Sequence, residues 1–217
     1  MVSRREFVRN GFFICVGTGG ILTCERAGAL PSSGGRRWTM IIDGNRCTGC
    51  QSCMVACKLQ SNSAPGQFHT RVSEQESGVY PHGTIRFVAS LCRHCDNPPC
   101  VAACRTGAAF VHDSGLVMTD WRRCDGNGAC IRACPHGARW PDPRFGDRAD
   151  KCDLCIHRIG QGLEPACVEN CASKARVFGR LDRPEGEFSR YLARLDAKRL
   201  KTGAVHLLGG DEKGERS

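Results

Sequence analysis

Aromatic residues and long apolar runs are both scarce in this 217-residue chain. Phenylalanine, tyrosine and tryptophan make up only 6% of it, whereas glycine occurs 26 times. A chain of this length forms one or two small domains, and so few large apolar side chains leave a thin organic core. Small domains of this kind need further cross-links, such as bound metal. The composition therefore predicts a fold that hydrophobic packing alone does not hold together.

The sequence also lacks the features of several protein classes. Its longest weakly apolar stretch, residues 11–23, contains glycines and is too short to cross a bilayer comfortably. We therefore expect a mature protein that is soluble by itself and reaches a membrane only through a partner. There is no glycine-rich cofactor loop, no nucleophile–base constellation and no DNA-binding motif. These absences argue against a self-standing enzyme and against a redox regulator, although neither class is eliminated.

What the chain has in excess is cysteine, with 17 residues, fifteen of them in four runs between positions 47 and 171. The first run has the spacing C-x-x-C-x-x-C-x-x-x-C. The third repeats it with one member missing, and the second and fourth widen the gap before the third cysteine. The runs are Cys47, Cys50, Cys53 and Cys57; Cys92, Cys95, Cys100 and Cys104; Cys124, Cys130 and Cys134; and Cys152, Cys155, Cys167 and Cys171. This is the ligand pattern of cubane iron–sulfur clusters, which mostly carry single electrons.

Other uses of cysteine fit this spacing less well. A disulfide framework would have irregular spacings, not four near-copies of one run. Structural zinc sites place their C-x-x-C pairs a dozen or more residues apart, whereas here three cysteines fall within seven residues. Reactive thiols would be fewer. The sequence therefore favours iron–sulfur clusters.

The formal net charge of +9 overstates the basic character of the chain. Each cluster with its thiolates carries a charge of about −2, so four clusters would cancel most of the excess. Lysines and arginines are also scattered between the cysteine runs and form no stripe. We therefore expect no nucleic-acid partner and assign the basic residues to stabilising buried anionic clusters.

The N-terminus has the pattern of a targeting segment. Residues 3–8 (SRREFV) are similar to a twin-arginine motif, a weakly apolar stretch follows, and residues 27–29 (AGA) offer a small-x-small cleavage site. We predict a signal peptide over residues 1–29 and export of the folded, metal-loaded protein. Cys15 and Cys24 lie inside this segment and are interpreted as bystanders. Lipidation of Cys24 is a less favoured alternative because Thr23 is a poor residue before an acylated cysteine.

The regions between the cysteines predict short elements. Strands are expected at residues 39–43 and 85–88, a β-hairpin at 109–112 and 116–118, and helices at 51–59 and 129–133. Residues 58–84 and 138–150 are expected to be irregular. An amphipathic helix is expected at 189–200 and a polar tail at 209–217.

The cysteine contexts carry a resemblance to a known family. They are residues 46–53 (RCTGCQSC), 92–100 (CRHCDNPPC), 149–155 (ADKCDLC) and 164–171 (EPACVENC). About two thirds of the chain resembles the four-cluster iron–sulfur subunits of the dimethyl sulfoxide reductase superfamily. Exported subunits serving tetrathionate, polysulfide and nitrite reduction, and those of sulfur-metabolism membrane complexes, are the most similar.

The resemblance implies an α+β fold of two ferredoxin-like modules related by pseudo-symmetry, with loop insertions. One module would use residues 38–60 and 150–180, the other residues 85–137, and residues 181–217 would form a C-terminal helix and tail. In the first module one cluster would use Cys47, Cys50, Cys53 and Cys171, and the next Cys152, Cys155, Cys167 and Cys57. In the second, one would use Cys92, Cys95, Cys100 and Cys134, and the last Cys124, Cys130 and Cys104.

The last site departs from the family pattern because Asn127 stands where the family usually has cysteine. An amide is a weak iron ligand beside a thiolate. We therefore expect three [4Fe-4S] clusters and a [3Fe-4S] cluster at the fourth site. A four-iron cluster with oxygen or water at that corner, or an empty site, are the alternatives.

The resemblance implies an electron-transfer subunit with no active site of its own. It would relay single electrons between a multi-span, quinone-reactive membrane subunit and a catalytic subunit, for which molybdopterin is the expected cofactor. A relay in a sulfur-metabolism membrane complex with haem subunits and no molybdenum, or a self-standing iron–sulfur enzyme, are the alternatives. The expected location is the periplasm or the outer face of the cytoplasmic membrane.

Overall fold

The computed structural model describes residues 38–195 and 203–208. The predicted signal peptide, the tail at 209–217 and the end of the predicted helix 189–200 lie outside these ranges. The elements in chain order are β1 (Trp38–Asp43), α1 (Ser52–Ser61), β2 (Thr70–Ser77), β3 (Thr84–Leu91), α2 (Pro99–Ala102), β4 (Ala109–Val111), β5 (Val117–Thr119), α3 (Ala129–Arg132), β6 (Trp140–Asp142), a 3₁₀ turn (Pro143–Phe145), β7 (Arg148–Asp150), α4 (Ile156–Ile159), α5 (Ala166–Glu169), β8 (Arg176–Arg180), α6 (Gly186–Leu192) and β9 (Val205–Leu208). The fold is therefore mixed helix and strand, as predicted.

The largest sheet has three strands in the order β8-β1-β9. The central strand β1 runs antiparallel to β8 and parallel to β9. Both faces of β1 are covered, so its residues from Thr39 to Asp43 are all buried. Ile41 packs on Phe188 and Tyr191 of α6, whereas Met40 and Ile42 join the core that contains several cysteines. The sheet is thus the layer between α6 and the cysteine loops.

Three two-stranded hairpins make up the rest of the sheet structure: β2-β3, β4-β5 and β6-β7. The predicted hairpin at 109–118 is confirmed, and Gly115 forms its turn with a φ of 78°. The predicted strands at 39–43 and 85–88 and the helices at 51–59 and 129–133 are also confirmed, with small shifts at their ends.

Two expectations about segments between cysteine runs, and the bounds of one helix after the last run, were wrong. Residues 58–84 contain β2, and residues 138–150 form the β6-β7 hairpin around a 3₁₀ turn. Both regions are polar, and cross-strand pairing stabilises them without an apolar alternation that the sequence could reveal. The helix expected at 189–200 begins earlier, at Gly186, and ends at Leu192.

Within the described residues, no helix combines the length and the apolar character needed to cross a bilayer.

Candidate metal centres

All fifteen cysteines of the four runs are free thiols, so none of the described cysteines forms a disulfide. Five of them, Cys47, Cys95, Cys104, Cys124 and Cys134, are partly buried, and Cys50 is exposed. The nine buried ones are Cys53, Cys57, Cys92, Cys100, Cys130, Cys152, Cys155, Cys167 and Cys171. Most of these cysteines are therefore buried without a disulfide partner. A disulfide framework would have joined them in pairs.

The loops that carry the thiols share one backbone feature. In each run, the residue before the second cysteine position has a positive φ: 69° at Gly49, 48° at His94, 75° at Gly126 and 58° at Leu154. A left-handed residue here turns the chain tightly and directs successive backbone N–H groups inward, which creates a concave site for an anion. The third run keeps this turn, so Asn127 occupies the place of its missing cysteine.

Backbone N–H groups also donate to the thiol sulfurs. These hydrogen bonds run from Ala109 to Cys104 Sγ (3.3 Å), from Leu154 to Cys152 Sγ (3.4 Å) and from Ala138 to Cys134 Sγ (3.5 Å). Hydrogen bonds to sulfur favour the thiolate, which is the form that binds metal. The loops are thus suited to hold anionic sulfur.

The first and fourth runs meet around Cys53. Burial raises the pKa of Cys53, and the neighbouring charges that act on it are those of Arg176, Cys167, Cys171 and Cys47. A pocket at this position is lined by four thiols, those of Cys47, Cys50, Cys53 and Cys171. These are four residues that we assigned to one cluster from the family resemblance.

A second group of thiols lies beside the first. Burial raises the pKa of Cys57, and the thiols of Cys167 and Cys155 raise it further. Burial also raises the pKa of Cys155 to about 11. It raises that of Cys152 well above its usual range, with Cys57 as the strongest charged contributor. These four thiols line a cavity of about 440 Å³.

The second and third runs also come together. Burial raises the pKa of Cys95, with Cys92, Cys100 and Cys134 as the neighbouring thiols. Burial also raises the pKa of Cys130. The thiols of Cys104, Cys124 and Cys100 raise this pKa further, whereas Arg139 lowers it. Helices α2 and α3, which carry Cys100 and Cys130, pack on one another. The structure thus places the thiols of these runs as two neighbouring sets.

The thiol spacing bears on the kind of metal. Among the described residues, no three Cys, His, Asp or Glu side chains lie close enough to hold a single metal ion. Tetrahedral zinc would need four thiolates, each about 2.3 Å from one ion. The described thiols are therefore not arranged as a ready-made site for a single zinc ion.

Comparison with known proteins agrees with this chemistry. The 4Fe-4S dicluster domain family matches residues 84–181. The chain is 38% identical to a putative iron–sulfur subunit of dimethyl sulfoxide reductase from Halobacterium salinarum, an alignment that covers 74% of this chain and 72% of the relative. It is 40% identical to the thiosulfate reductase electron transfer subunit PhsB of Salmonella typhi (79% and 91% covered) and 45% identical to a subunit of the tetrathionate reductase of Archaeoglobus fulgidus (69% and 73% covered).

The chain belongs to this family of reductase iron–sulfur subunits. The family resemblance stated from the cysteine contexts is therefore confirmed. It is an iron–sulfur protein.

Asn127 is held within its own loop. Its Nδ2 donates to both carboxylate oxygens of Asp125, at 2.7 and 2.9 Å, and its Oδ1 accepts the N–H of Ala129 at 2.9 Å. The hydrogen bonds from Asn127 lower the pKa of Asp125. Both ends of the Asn127 amide are thus engaged, and its side chain is exposed. This arrangement secures the loop where a cysteine of the family would bind iron.

Two buried arginines near the thiols were not singled out from the sequence. Arg176 is 4% exposed and Arg139 is 3% exposed. The signal that could have identified them is their offset, because each lies five residues after the last cysteine of its run, Cys171 or Cys134.

Proposed function

We propose that this protein relays single electrons along a row of four iron–sulfur clusters, as an electron-transfer subunit without a catalytic site. One observation carries the proposal. Each thiol set has a neighbour, with Cys53 near Cys167, Cys152 near Cys92, and Cys130 near Cys100. A row of four sites in close succession suits electron transfer between two partners, because each step between neighbouring clusters is short.

The ligand sets are those that the family resemblance implied. In order along the row, site A has Cys47, Cys50, Cys53 and Cys171; site B has Cys57, Cys152, Cys155 and Cys167; site C has Cys92, Cys95, Cys100 and Cys134; and site D has Cys104, Cys124 and Cys130. The electrostatic neighbourhoods of the thiols and the lining of the two pockets support this grouping. A bound cluster supplies a centre that gains and loses one electron.

We assign the sites to two pseudo-symmetric ferredoxin-like modules. The outer module holds sites A and B and uses residues 38–60 and 150–180. The inner module holds sites C and D and uses residues 85–137. The shared turn before the second cysteine position supports the assignment, since it recurs in all four runs.

Sites A, B and C would hold [4Fe-4S] clusters and site D a [3Fe-4S] cluster. The hydrogen bonds that tie Asn127 to Asp125 and Ala129 support a missing ligand at that corner. Low-temperature EPR of the oxidised protein tests this, because an oxidised three-iron cluster is paramagnetic and an oxidised four-iron cluster is not. Lack of that signal, with iron for only three clusters, would favour an empty site.

The partners are proposed at the two ends of the row. Cys50 at site A is exposed, and Cys104 and Cys124 at site D are partly buried, so electrons can enter and leave at these ends. The relatives are named as subunits of reductases. We assign a catalytic subunit with molybdopterin to one end and a multi-span, quinone-reactive membrane subunit to the other.

The proposed location is the periplasm or the outer face of the cytoplasmic membrane, after twin-arginine export and removal of residues 1–29. Affinity purification from native membranes tests the partners, with identification of every co-purifying subunit. A large molybdopterin protein is expected. A multi-span protein with haem subunits and no molybdopterin would instead indicate a quinone-linked sulfur or nitrogen complex. Mass spectrometry of the mature N-terminus tests the cleavage site.

A further inference from the structure

Arg139 and Arg176 occupy equivalent places after the third and fourth cysteine runs. Three runs end in the same way, with a left-handed residue three positions after the last cysteine and a buried alanine at the fourth. The left-handed residues are Gly107, Gly137 and Lys174, and the alanines are Ala108, Ala138 and Ala175. At the fifth position the third and fourth runs have Arg139 and Arg176, whereas the second run has Ala109.

Each arginine is oriented by a hydrogen bond to a threonine. Arg176 Nη2 donates to Thr70 Oγ1 at 2.8 Å, and Arg139 Nη1 donates to Thr119 Oγ1 at 3.1 Å. Thr70 is the first residue of β2, and Thr119 is the last residue of β5. The two guanidinium groups are thus anchored in the same manner.

Other donors of the two groups have no acceptor among the described residues. These are Nη1 of Arg176 and both Nε and Nη2 of Arg139, all inaccessible to solvent. Neither guanidinium forms an ion pair with a carboxylate in the described part of the chain. Because an uncompensated buried cation is strongly destabilising, each group needs an anion nearby.

The thiols that interact electrostatically with the two arginines are cluster ligands of the proposed sites. Arg176 lies among Cys167, Cys53 and Cys171, which belong to sites A and B. Arg139 lies beside Cys130 of site D. Cys167 and Cys130 both stand at the third cysteine position of their run, so the two arginines face equivalent sulfurs. The exposed Arg180 on β8, in contrast, pairs with Asp182.

We propose that Arg176 and Arg139 are the buried counter-charges of the two modules and that each raises the reduction potential of the clusters next to it. A fixed cation that donates hydrogen bonds to cluster sulfur stabilises the more negative, reduced state. Arg176 acts on sites A and B, and Arg139 acts on site D. They are positioning and tuning residues, since the metal ligands remain the thiolates.

This inference rests on the proposed function, and potentiometric EPR titration of the full chain, purified with its native partners, tests both. Arg176→Gln should lower two of the cluster potentials and leave the other two unchanged. Arg139→Gln should lower a potential that Arg176→Gln does not affect. We expect at least a tenfold change in the ratio of reduced to oxidised cluster at a fixed potential, which is about 59 mV for one electron.

Two further variants separate tuning from a merely structural role. Arg180→Gln removes an equal charge from an exposed position on the same strand and should leave all potentials unchanged. Arg176→Lys keeps the charge but loses the planar fork of donors, and should give a shift between those of wild type and Arg176→Gln. If Arg176→Gln loses clusters, the potentials of Arg176→Lys and Arg139→Gln decide the matter.

The outcomes are distinguishable. Unchanged potentials in the arginine variants, with clusters intact, would overturn the inference alone. The same two potentials shifting in both arginine variants would also overturn it, since the two arginines would then not serve separate modules. An unmodified protein without clusters would overturn the proposed function and this inference together.

Discussion

The two proposed modules, outer and inner, differ in how far they bury their thiols. In the outer module six of eight cysteines are buried, and the three-stranded sheet β8-β1-β9 lies behind them. In the inner module three of seven are buried, and the nearest strands form two-stranded hairpins. The thiols of sites A and B are therefore less accessible to water, on the whole, than those of sites C and D.

The difference shows how burial and charge oppose each other at a metal site. Burial raises the pKa of several thiols of the outer module, to about 11 at Cys155. At Cys104 of the inner module, burial also acts to raise the pKa. Hydrogen bonds from the Ala109 N–H, the Thr106 hydroxyl and neighbouring backbone outweigh burial, and the pKa of Cys104 is lowered. The thiolate of Cys155 thus depends on bound metal for its stability, whereas that of Cys104 is stabilised in part by the chain itself.

Removal of one outer thiol should have the largest effect. Cys152→Ser leaves a buried cluster site without a ligand, and we expect the loss of sites A and B and a failure of the protein to accumulate. Cys124→Ser in the inner module should cost site D alone, because that site is more exposed. Iron content and EPR spin quantification measure both. Equal losses in the two variants would contradict the contrast between the modules.

The next largest effect should be a difference in the rates at which Cys155 and Cys104 are alkylated in the metal-free chain. With its pKa of about 11, Cys155 is a thiolate in only about one molecule in a thousand at a pH of about 8, so alkylation should be slow and should speed up as the pH rises. Cys104, whose pKa is lowered, should react early and gain little from higher pH. Mass spectrometry of iodoacetamide adducts after iron chelation follows each site. Equal rates at both residues would show that burial does not separate the modules.

The cysteine pattern predicted more of the site than of the fold. The strict spacing of the runs indicated the metal chemistry, and the resemblance to the family implied the thiol sets and the departure at Asn127. The strands β2, β6, β7, β8 and β9 could not be predicted in this way. They are short or polar, and some have partners far away in the chain, as for β9 beside β1. Arg139 and Arg176 were missed because the sequence alone does not show which arginines are buried, and their shared offset of five residues from the last cysteine was not used.

Asn127→Cys should remove the difference in ligand number between the modules. A fourth thiolate at site D should convert its cluster to a four-iron form and lower its potential, since a thiolate adds negative charge. The signal of the oxidised three-iron cluster should then disappear. Asn127→Ala is the matched control and should keep that signal. A three-iron signal that persists in Asn127→Cys would show that the residue does not stand at the open corner.

Gly126→Ala should have the smallest effect. Gly126 has a φ of 75°, and a Cβ there would lie 2.5 Å from the carbonyl oxygen of Gly146. We expect a loss of about 1–3 kcal/mol in stability, with lower occupancy of site D. Gly162→Ala is the matched control, because Gly162 has a φ of 76° and no atom near the added Cβ. Thermal unfolding of both variants measures the difference, and equal losses would mean that the contact with Gly146 is unimportant.

The central claim is that the chain holds four one-electron centres in a row. Coulometric reduction of the purified, cluster-loaded chain measures this directly, together with its iron content. We predict uptake of four electrons per chain, in steps that EPR can follow. Uptake of three electrons would mean an empty site D. A chain that binds zinc in its thiol loops and accepts no electrons would contradict the relay itself.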